Sequence, residues 1–145
     1  MVRIWSLESG ESKALEGYRY WWVNSITYSL GGRNLACGAS DGMVRIWNLE
    51  SGESRVLEGH TGEVNSVVYS PDGRHLASGS DDGAVRIWDL ETRKSHMTKS
   101  CDDEVKSAAY SPDGKFLSYG NGDGTVHIWD LDKNLEVKKL IIIHT

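Results

Sequence analysis

The chain has 145 residues and a formal net charge of −5, with acidic and basic side chains interspersed along its length. This balance disfavours a nucleic-acid-binding protein and a protein that binds an anionic membrane surface, because both need a basic patch. The longest apolar run, residues 140–143, is far too short to cross a bilayer, so no membrane association is expected. A chain of this length is sufficient for one domain with a substantial core.

The composition is typical of a protein built from short β-strands. Sixteen glycines and six tryptophans stand against one phenylalanine and two prolines, which indicates many tight turns and one aromatic residue used periodically. The two cysteines, Cys37 and Cys101, lack the spacing of metal ligands or of a disulfide framework. We therefore expect no metal, no cofactor and a cytoplasmic location.

A four-residue motif, Val-Arg-Ile-Trp, recurs with one substitution at residues 2–5, 44–47, 85–88 and 126–129. Its tryptophans are 42, 41 and 41 residues apart, and a fixed period of this kind predicts a repeat protein. On an extended chain Val85 and Ile87 would point to one side while Arg86 and Trp88 point to the other. β-Branched and aromatic residues suit a pleated, mostly buried surface. The motif is therefore predicted to be a strand.

In chain order, the predicted strands form one partial unit and three complete ones. The partial unit has strands at residues 2–7 and 12–16, and the complete units span residues 23–57, 64–98 and 105–140. The middle complete unit has strands at residues 64–70, 75–80, 85–88 and 93–99. Pro71 to Gly73 and Asp82 with Gly83 separate its first three strands, and these residues suit tight turns. Each unit predicts an antiparallel sheet that must stack on its neighbours.

Short motifs in the middle unit resemble the WD40 repeat of β-propellers. Gly59 and His60 precede its first strand, and Trp88 and Asp89 end its third strand. The resemblance covers essentially the whole chain and implies an all-β fold of WD40-type blades, incomplete as a monomer. It implies a single domain, 1–145, with a half-blade at residues 1–17. Complete four-stranded blades would follow at about 18–59, 60–100 and 101–143. We call the half-blade blade one and number the complete blades two, three and four.

Three and a half blades are too few for a closed ring, since propellers close with roughly four to eight blades. The lateral faces of the stack would be apolar and uncovered, and the half-blade would present an unpaired strand edge. We therefore expect a homo-oligomer, with a dimer favoured, in which copies complete the ring between them. The alternative is a piece of a longer propeller.

The middle blade contains the residue types of a hydrolytic triad, in His60, Ser78 and Asp82. The WD40 resemblance implies a structural role for them. There the histidine of the Gly-His turn, a second-strand serine, the hairpin aspartate and the third-strand tryptophan, here Trp88, form a hydrogen-bonded tetrad. A satisfied polar network of this kind fastens loops to strands. Nothing in the sequence supplies an oxyanion hole, so no catalytic residue is predicted.

The other two complete blades depart from this pattern. The equivalent positions hold Tyr18, Cys37, Asp41 and Trp47 in blade two, and Cys101, Tyr119, Asp123 and Trp129 in blade four. Both blades keep the aspartate and the tryptophan but lose the histidine and the serine. We therefore expect the tetrad in blade three alone, and weaker internal fastening in its neighbours.

Two sets of residues are candidate protein-binding positions. The first is a run of large residues on a turn, of the kind that dominates interface hot spots, formed by Tyr18, Arg19, Tyr20, Trp21 and Trp22. Local packing over the neighbouring blade is the alternative for this run. The second set follows from the resemblance, which places partner contacts on one ring face, and comprises Trp22, Asn24, Ser40, Glu63, Asn65, Asp81, Glu104, Lys106 and Gly122. An ordinary solvated rim is the alternative for any one of them.

The function implied by the resemblance is a non-catalytic protein–protein interaction scaffold that completes its ring by self-association. A propeller fragment or self-assembling building block with no other partner is an alternative. A hydrolase with a site in the ring channel is a further alternative, but it needs pocket residues that the sequence does not announce.

Overall fold

The protein is described by a computed structural model that covers residues 2–5, 9–15, 22–98 and 103–141. All the regular secondary structure in this part of the chain is β-strand. The described residues contain no candidate for a membrane-spanning helix. Blade one contains β1 (Val2–Trp5) and β2 (Ser12–Leu15). Blade two contains β3 (Val23–Tyr28), β4 (Asn34–Ala39), β5 (Val44–Asn48) and β6 (Ser54–Leu57).

Blades three and four repeat the four-strand pattern of blade two. Blade three contains β7 (Val64–Tyr69), β8 (His75–Ser80), β9 (Val85–Asp89) and β10 (Ser95–Met97). Blade four contains β11 (Val105–Tyr110), β12 (Phe116–Asn121), β13 (Thr125–Asp130) and β14 (Leu135–Ile141). Each blade is an antiparallel meander in which strands adjacent in sequence are hydrogen-bonded neighbours. The prediction of an all-β chain built from four-stranded antiparallel blades is confirmed, while the exact blade boundaries stay a prediction.

In blade three the Val-Arg-Ile-Trp strand is buried on both faces. In β9, Val85 and Ile87 belong to an apolar cluster with residues of blade four, such as Val105 and Leu117. Trp88, on the opposite face, belongs to a cluster with residues of blade two. Because successive side chains of a strand alternate between its faces, one strand contributes to two cores. This explains why the motif contains three large apolar residues in four positions.

The blades stack side by side in chain order. The first strands of the complete blades contact one another in succession, β3 with β7 and β7 with β11. On the other side of blade two, Val2 and Ile4 of β1 pack against Leu35, Cys37 and Trp47. The core therefore lies in three layers, one at each junction between blades.

Asparagine side chains also join consecutive blades. Asn24 in β3 donates an amide hydrogen bond to the carbonyl of Val64 in β7 (3.1 Å). Asn65, one repeat later, does the same to the carbonyl of Val105 in β11 (2.9 Å). Lys106 stands at the third equivalent position, and its ammonium turns back to Glu104 (2.6 Å). The asparagine contact is thus a repeated feature of the junction between complete blades.

A second hydrogen bond repeats at the same junctions. The hydroxyl oxygen of Ser25 accepts from the backbone N–H of Val67 (3.2 Å). The hydroxyl oxygen of Ser66 accepts from the backbone N–H of Ala108 in the same way (3.2 Å). Each junction between complete blades therefore combines an apolar layer with two side-chain hydrogen bonds to backbone groups.

The fourth strand of blade three is shorter than the predicted strand at residues 93–99. β10 covers only Ser95–Met97, and Arg93 has a left-handed backbone with φ of 64°. The N–H of Arg93 donates to the carbonyl of Asp89 (2.8 Å), and the Asp89 carboxylate accepts from the N–H of Glu91 and of Thr92. The turn stabilised by Asp89 therefore extends through Arg93 and delays the strand.

Candidate functional site

The residues His60, Ser78, Asp82 and Trp88 form one hydrogen-bonded chain in blade three, as the tetrad prediction requires. Nδ1 of His60 lies 2.9 Å from the Asp82 carboxylate, and Nε2 lies 2.6 Å from the Ser78 hydroxyl. The indole N–H of Trp88 donates to the same hydroxyl (2.8 Å). Strands β8 and β9 supply Ser78 and Trp88, while the segment before β7 supplies His60 and the hairpin supplies Asp82.

Hydrogen-bond valence fixes the proton positions in this chain. A carboxylate only accepts, so Nδ1 of His60 carries a proton and donates to Asp82. Burial lowers the pKa of His60, and the hydrogen bond to Asp82 offsets this only in part, so the ring is neutral at pH 7. Nε2 therefore accepts from the Ser78 hydroxyl, whose oxygen in turn accepts from Trp88. Each polar group of the tetrad side chains therefore has a hydrogen-bond partner.

The Asp82 carboxylate also fixes the hairpin and the preceding turn. It accepts from the backbone N–H of Ala84 (2.9 Å) and of Thr61 (3.0 Å). Burial alone would raise the pKa of Asp82, but these two bonds and the one from His60 outweigh it and lower the pKa. The charge is therefore retained at neutral pH, and one side chain joins three segments of the blade.

The geometry opposes a nucleophilic role for Ser78. Its side chain is fully buried, and its hydroxyl proton is already directed at His60. Its oxygen is occupied by the indole of Trp88. A nucleophile has to reach the substrate, and a serine without exposed surface does not. The His-Ser-Asp constellation therefore has the chemistry of a structural network.

Blade two replaces the tetrad with an ion pair. Arg45 of β5 is 3% exposed, and its guanidinium makes two bonds to the Asp41 carboxylate, at 2.5 and 3.1 Å. Burial would raise the pKa of Asp41, but the bonds from Arg45 and from the N–H of Met43 outweigh it and lower the pKa. Cys37, at the serine position, is buried, which raises its pKa to about 11 and keeps the thiol protonated.

Sequence reasoning missed this substitute network. Arg45 and Arg86 occupy the same repeat position and have identical neighbours in the motif. Arg86 nevertheless donates to Ser95 on the adjacent strand (3.1 Å), because His60 already occupies the aspartate of blade three. The signal that could have identified Arg45 is the loss of the histidine in blade two, which leaves Asp41 to the arginine.

Blade four has a different substitute network. The Asp123 carboxylate accepts from the N–H and the hydroxyl of Thr125 (2.9 and 2.6 Å). His127, in the arginine position, contacts the Thr125 hydroxyl and the Glu136 carboxylate. The ring of Tyr119 stacks on the ring of His127, with centroids 5.0 Å apart. The hairpin aspartate therefore has a partner in all three complete blades. The described partners of Asp41 and Asp123 lie within four residues of them, whereas Asp82 reaches back to His60 and Thr61, so the weaker fastening expected for blades two and four stays a prediction.

The rim positions are brought to one end of the stack by a repeated backbone bond. The N–H of Ser40, of Asp81 and of Gly122 each donates to the carbonyl of the residue before the first strand of its own blade, which is Trp22, Glu63 and Glu104 respectively. The three distances are 2.8, 2.8 and 2.9 Å. This end of the stack is called the rim below. The rim lies at the start of β3, β7 and β11, at the same end of the stack as the turn that contains His60 of the tetrad.

Charged and aromatic groups are exposed on the rim. Lys106 lies between Glu104 (2.6 Å) and Asp81 of the neighbouring blade (3.5 Å). Asn65 also donates to Asp81 (2.6 Å). The Trp22 side chain is 77% exposed. These five rim residues form a mixed, partly acidic surface with one large apolar side chain.

Of the run Tyr18 to Trp22, Trp22 is the one residue that the structure describes. Tyr18, Arg19, Tyr20 and Trp21 lie outside the described residues, and so does Cys101. Among the described residues, no group of histidine, cysteine or carboxylate side chains has the arrangement of a metal site. Nothing in the described part of the chain adds a metal-binding candidate to those considered from the sequence.

Comparison with known protein families agrees with this geometry. The family model described as WD domain, G-beta repeat matches the chain three times, at residues 11–48, 52–89 and 91–130. Each matched segment starts near the last strand of one blade and includes the first three strands of the next. A comparison with curated proteins gave no match.

Proposed function

The chain belongs to the WD40-repeat family, and from this premise we propose a non-catalytic protein-interaction scaffold that completes its ring by self-association. Protein-interaction scaffolding is the kind of function that WD40 repeats indicate, and the family is generally non-catalytic. The single observation that carries the self-association is the uncovered apolar face of β3, described below. A cytoplasmic location is part of the proposal, supported by the buried, unpaired thiol of Cys37.

We assign the partner surface to the rim. Supporting this, Trp22 offers a large exposed apolar surface on the same rim as the carboxylates of Glu63, Asp81 and Glu104. Aromatic side chains flanked by polar groups are typical of interface hot spots. Asn24 and Asn65 have a packing role in the blade junctions, so their contribution to partner binding would be through placement of the rim.

The first uncovered face is that of β3 in blade two. Ile26 and Tyr28 are 54% and 55% exposed. Their equivalents in blade three, Val67 and Tyr69, are 4% and 9% exposed because they pack against blade two. Ile26 and Tyr28 thus present the same type of surface without a covering blade. Contiguous exposed apolar side chains of this kind mark an interaction site.

The second uncovered face is that of blade four. Val126 and Ile128 in β13 are half-buried. Their equivalents in blade three, Val85 and Ile87, are 0% and 5% exposed because blade four covers them. Leu140 on the adjacent strand is exposed as well. Blade four therefore offers the face that blades two and three use to bind the next blade.

These two faces are complementary in hydrogen bonding as well as in polarity. At each junction a serine of one blade accepts from the backbone of the next, as Ser25 accepts from Val67. Ser107 of β11 is the next serine in this series and is exposed. The N–H equivalent to that of Val67 belongs to Ile26 on the first face. Blade four of one copy and β3 of another would therefore form a head-to-tail contact confined to the part of this face around β3, because Val2 and Ile4 of blade one already pack on Leu35 and Trp47 of the same face.

Charged substitutions on each face test this arrangement. Ile26→Asp and Ile128→Asp should each reduce the self-association measured by sedimentation velocity, because each places a carboxylate in an apolar junction. Met97→Asp, at an exposed position of the covered blade three, is the matched control and should leave self-association unchanged.

Mixing the two variants provides the sharper result. An equal mixture should contain a heterodimer, because the intact blade-four face of one variant can still bind the intact β3 face of the other. Unchanged self-association of both single variants would contradict the head-to-tail junction. The proposed scaffold role is tested separately: the Trp22→Ser variant should bind protein partners more weakly than the original chain.

A further inference from the structure

A groove lies between blades three and four, at the end of the stack opposite the rim. Its volume is about 300 Å³. The groove is lined by Asp72, His75, His96, Tyr110, Asp113 and Leu131 among other residues. The turn between β7 and β8 forms one wall, and the turn between β11 and β12 forms the other. This groove is called the turn-end groove below.

An arginine of the chain itself occupies the equivalent position one junction earlier. Arg55 in β6 is half-buried, and its guanidinium donates to the carbonyl of Leu90 in blade three (3.2 Å). Its charge also acts on Tyr69, where it opposes the burial that raises the pKa of that phenol to about 12. The junction between blades two and three therefore provides a working example of a guanidinium seated between two blades.

His96 takes the place of Arg55 in the next blade. Each pairs with the isoleucine of its Val-Arg-Ile-Trp strand, Arg55 with Ile46 and His96 with Ile87. His96 is exposed and has a shorter side chain, so the space that Arg55 occupies in one junction is open in the other. The acceptor remains, because Leu131 is the blade-four equivalent of Leu90.

The electrostatics of the turn-end groove suit a cation. Asp72 and Asp113 line it, and in each carboxylate one oxygen accepts from a serine hydroxyl and from a backbone N–H of its own turn. These bonds, the serine bond foremost, lower the pKa of both groups, so both are ionised at neutral pH. The hydroxyl of Tyr110 is buried there without a hydrogen-bond partner among the described residues, as is that of Tyr69 at the junction that Arg55 fills.

We propose that the turn-end groove binds the guanidinium group of an arginine side chain presented by a partner protein, in the place that Arg55 fills one junction earlier. The planar group would donate to the Leu131 carbonyl, as Arg55 donates to Leu90. It would also form charge-assisted bonds to the carboxylates of Asp72 and Asp113. A lysine ammonium lacks the planar array of donors needed to reach both walls.

The chemistry of the groove favours an arginine within a polypeptide over free arginine. Free arginine carries an α-carboxylate and an α-ammonium, and both charged groups would lose hydration against the apolar Ile87 and Leu131 of the groove. An arginine in a peptide has no such group. N-Acetyl-arginine methylamide and free L-arginine are therefore the two probes that separate these sources.

The experiment titrates the full chain with each probe and follows backbone amide shifts by NMR. The blocked arginine should shift the amides of the two turns, near Asp72 and Gly114, and should bind more tightly than free arginine. The blocked lysine analogue should cause little change. Tighter binding of free arginine would overturn the protein-borne source, and shifts spread evenly over the surface would overturn the site.

Two variants make the test specific. His96→Arg should abolish binding, because the new side chain fills the groove as Arg55 fills its own. Asp72→Asn should weaken binding about tenfold, because it removes one charge-assisted bond to the guanidinium. The amide oxygen can still accept the hydrogen bonds from Ser70 and Arg74 that hold the turn. Glu50→Gln, an exposed carboxylate in the turn between β5 and β6, is the control and should bind as the original chain does.

The converse variant tests the template. Arg55→His should open the equivalent groove between blades two and three and add a second, weaker set of shifted amides around Leu90, because that groove has Asp72 on one wall but Gly31 where the other carboxylate would be. Retained binding in His96→Arg would overturn the proposal. A change in oligomeric mass on His96→Arg would assign the arginine to a second copy of the chain and contradict an external partner.

Discussion

Replacing Ser78 by alanine should destabilise blade three through two orphaned buried groups. The hydroxyl of Ser78 is the partner of the Trp88 indole N–H (2.8 Å) and of Nε2 of His60 (2.6 Å). Both partners would lose a hydrogen bond in a site without solvent, because Ser78 has no exposed surface. Alanine fills nearly the same volume, so the effect comes from hydrogen bonding and not from a cavity.

The expected loss follows from the number of groups left unpaired. Each buried donor or acceptor without a partner costs about 1–3 kcal/mol, and partial relaxation of the indole and imidazole lowers the sum. We therefore expect the free energy of unfolding to fall by about 3 kcal/mol, a large share of the ~5–15 kcal/mol typical of a domain.

Urea unfolding followed by tryptophan fluorescence measures this loss. Ser54→Ala is the matched control, because Ser54 is an exposed serine in a strand. The control should change the free energy of unfolding by less than about 0.5 kcal/mol. If Ser78→Ala is as mild as the control, the network does not fasten the blade and the structural interpretation fails.

Two further predictions concern the charged groups of the hairpin networks. The folded-state pKa of His60 lies below 6.5, so the unfolded chain binds more protons and stability falls as pH drops below about 6.5. Between about pH 7.5 and pH 5.5 His60→Asn should lose less unfolding free energy than the original chain, and an equal loss would argue against a buried neutral imidazole. Arg45→Met should cost about 2 kcal/mol in urea unfolding, because the Asp41 carboxylate would lose both guanidinium bonds and keep the Met43 N–H. Arg86→Met should cost less, since among the described residues Arg86 donates to the neutral hydroxyl of Ser95 and to no carboxylate. Equal costs for the two arginines would contradict the ion pair.

The repeat motif was sufficient to predict the strands, whereas the tetrad was implied by the resemblance to WD40 repeats. The alternation of the motif placed Val85 and Trp88 on opposite faces, and the structure buries each against a different blade. The resemblance assigned the Gly-His turn, the hairpin aspartate and Trp88 to one network, and in the structure His60 reaches Asp82 while Trp88 reaches Ser78. The strands depend on local spacing, which a single sequence contains.

The contacts of Arg45, Arg86 and Arg55 depend on which partners other parts of the chain provide. Arg45 and Arg86 have the same local sequence, and only the presence of His60 in one blade separates their contacts. The role of Arg55 at a blade junction is another such case, since it depends on a carbonyl 35 residues later in sequence. Contacts between repeats could not be obtained from the spacing within one repeat.

The mass of the chain in solution is the most direct test of the central claim, that two uncovered faces bind each other between copies. Light scattering on a size-exclusion column should give about twice the 16.1 kDa of one chain, since two copies are the favoured assembly. The mass should fall towards that of one chain on dilution or with Ile26→Asp. A folded species of 16.1 kDa at every concentration would contradict the account.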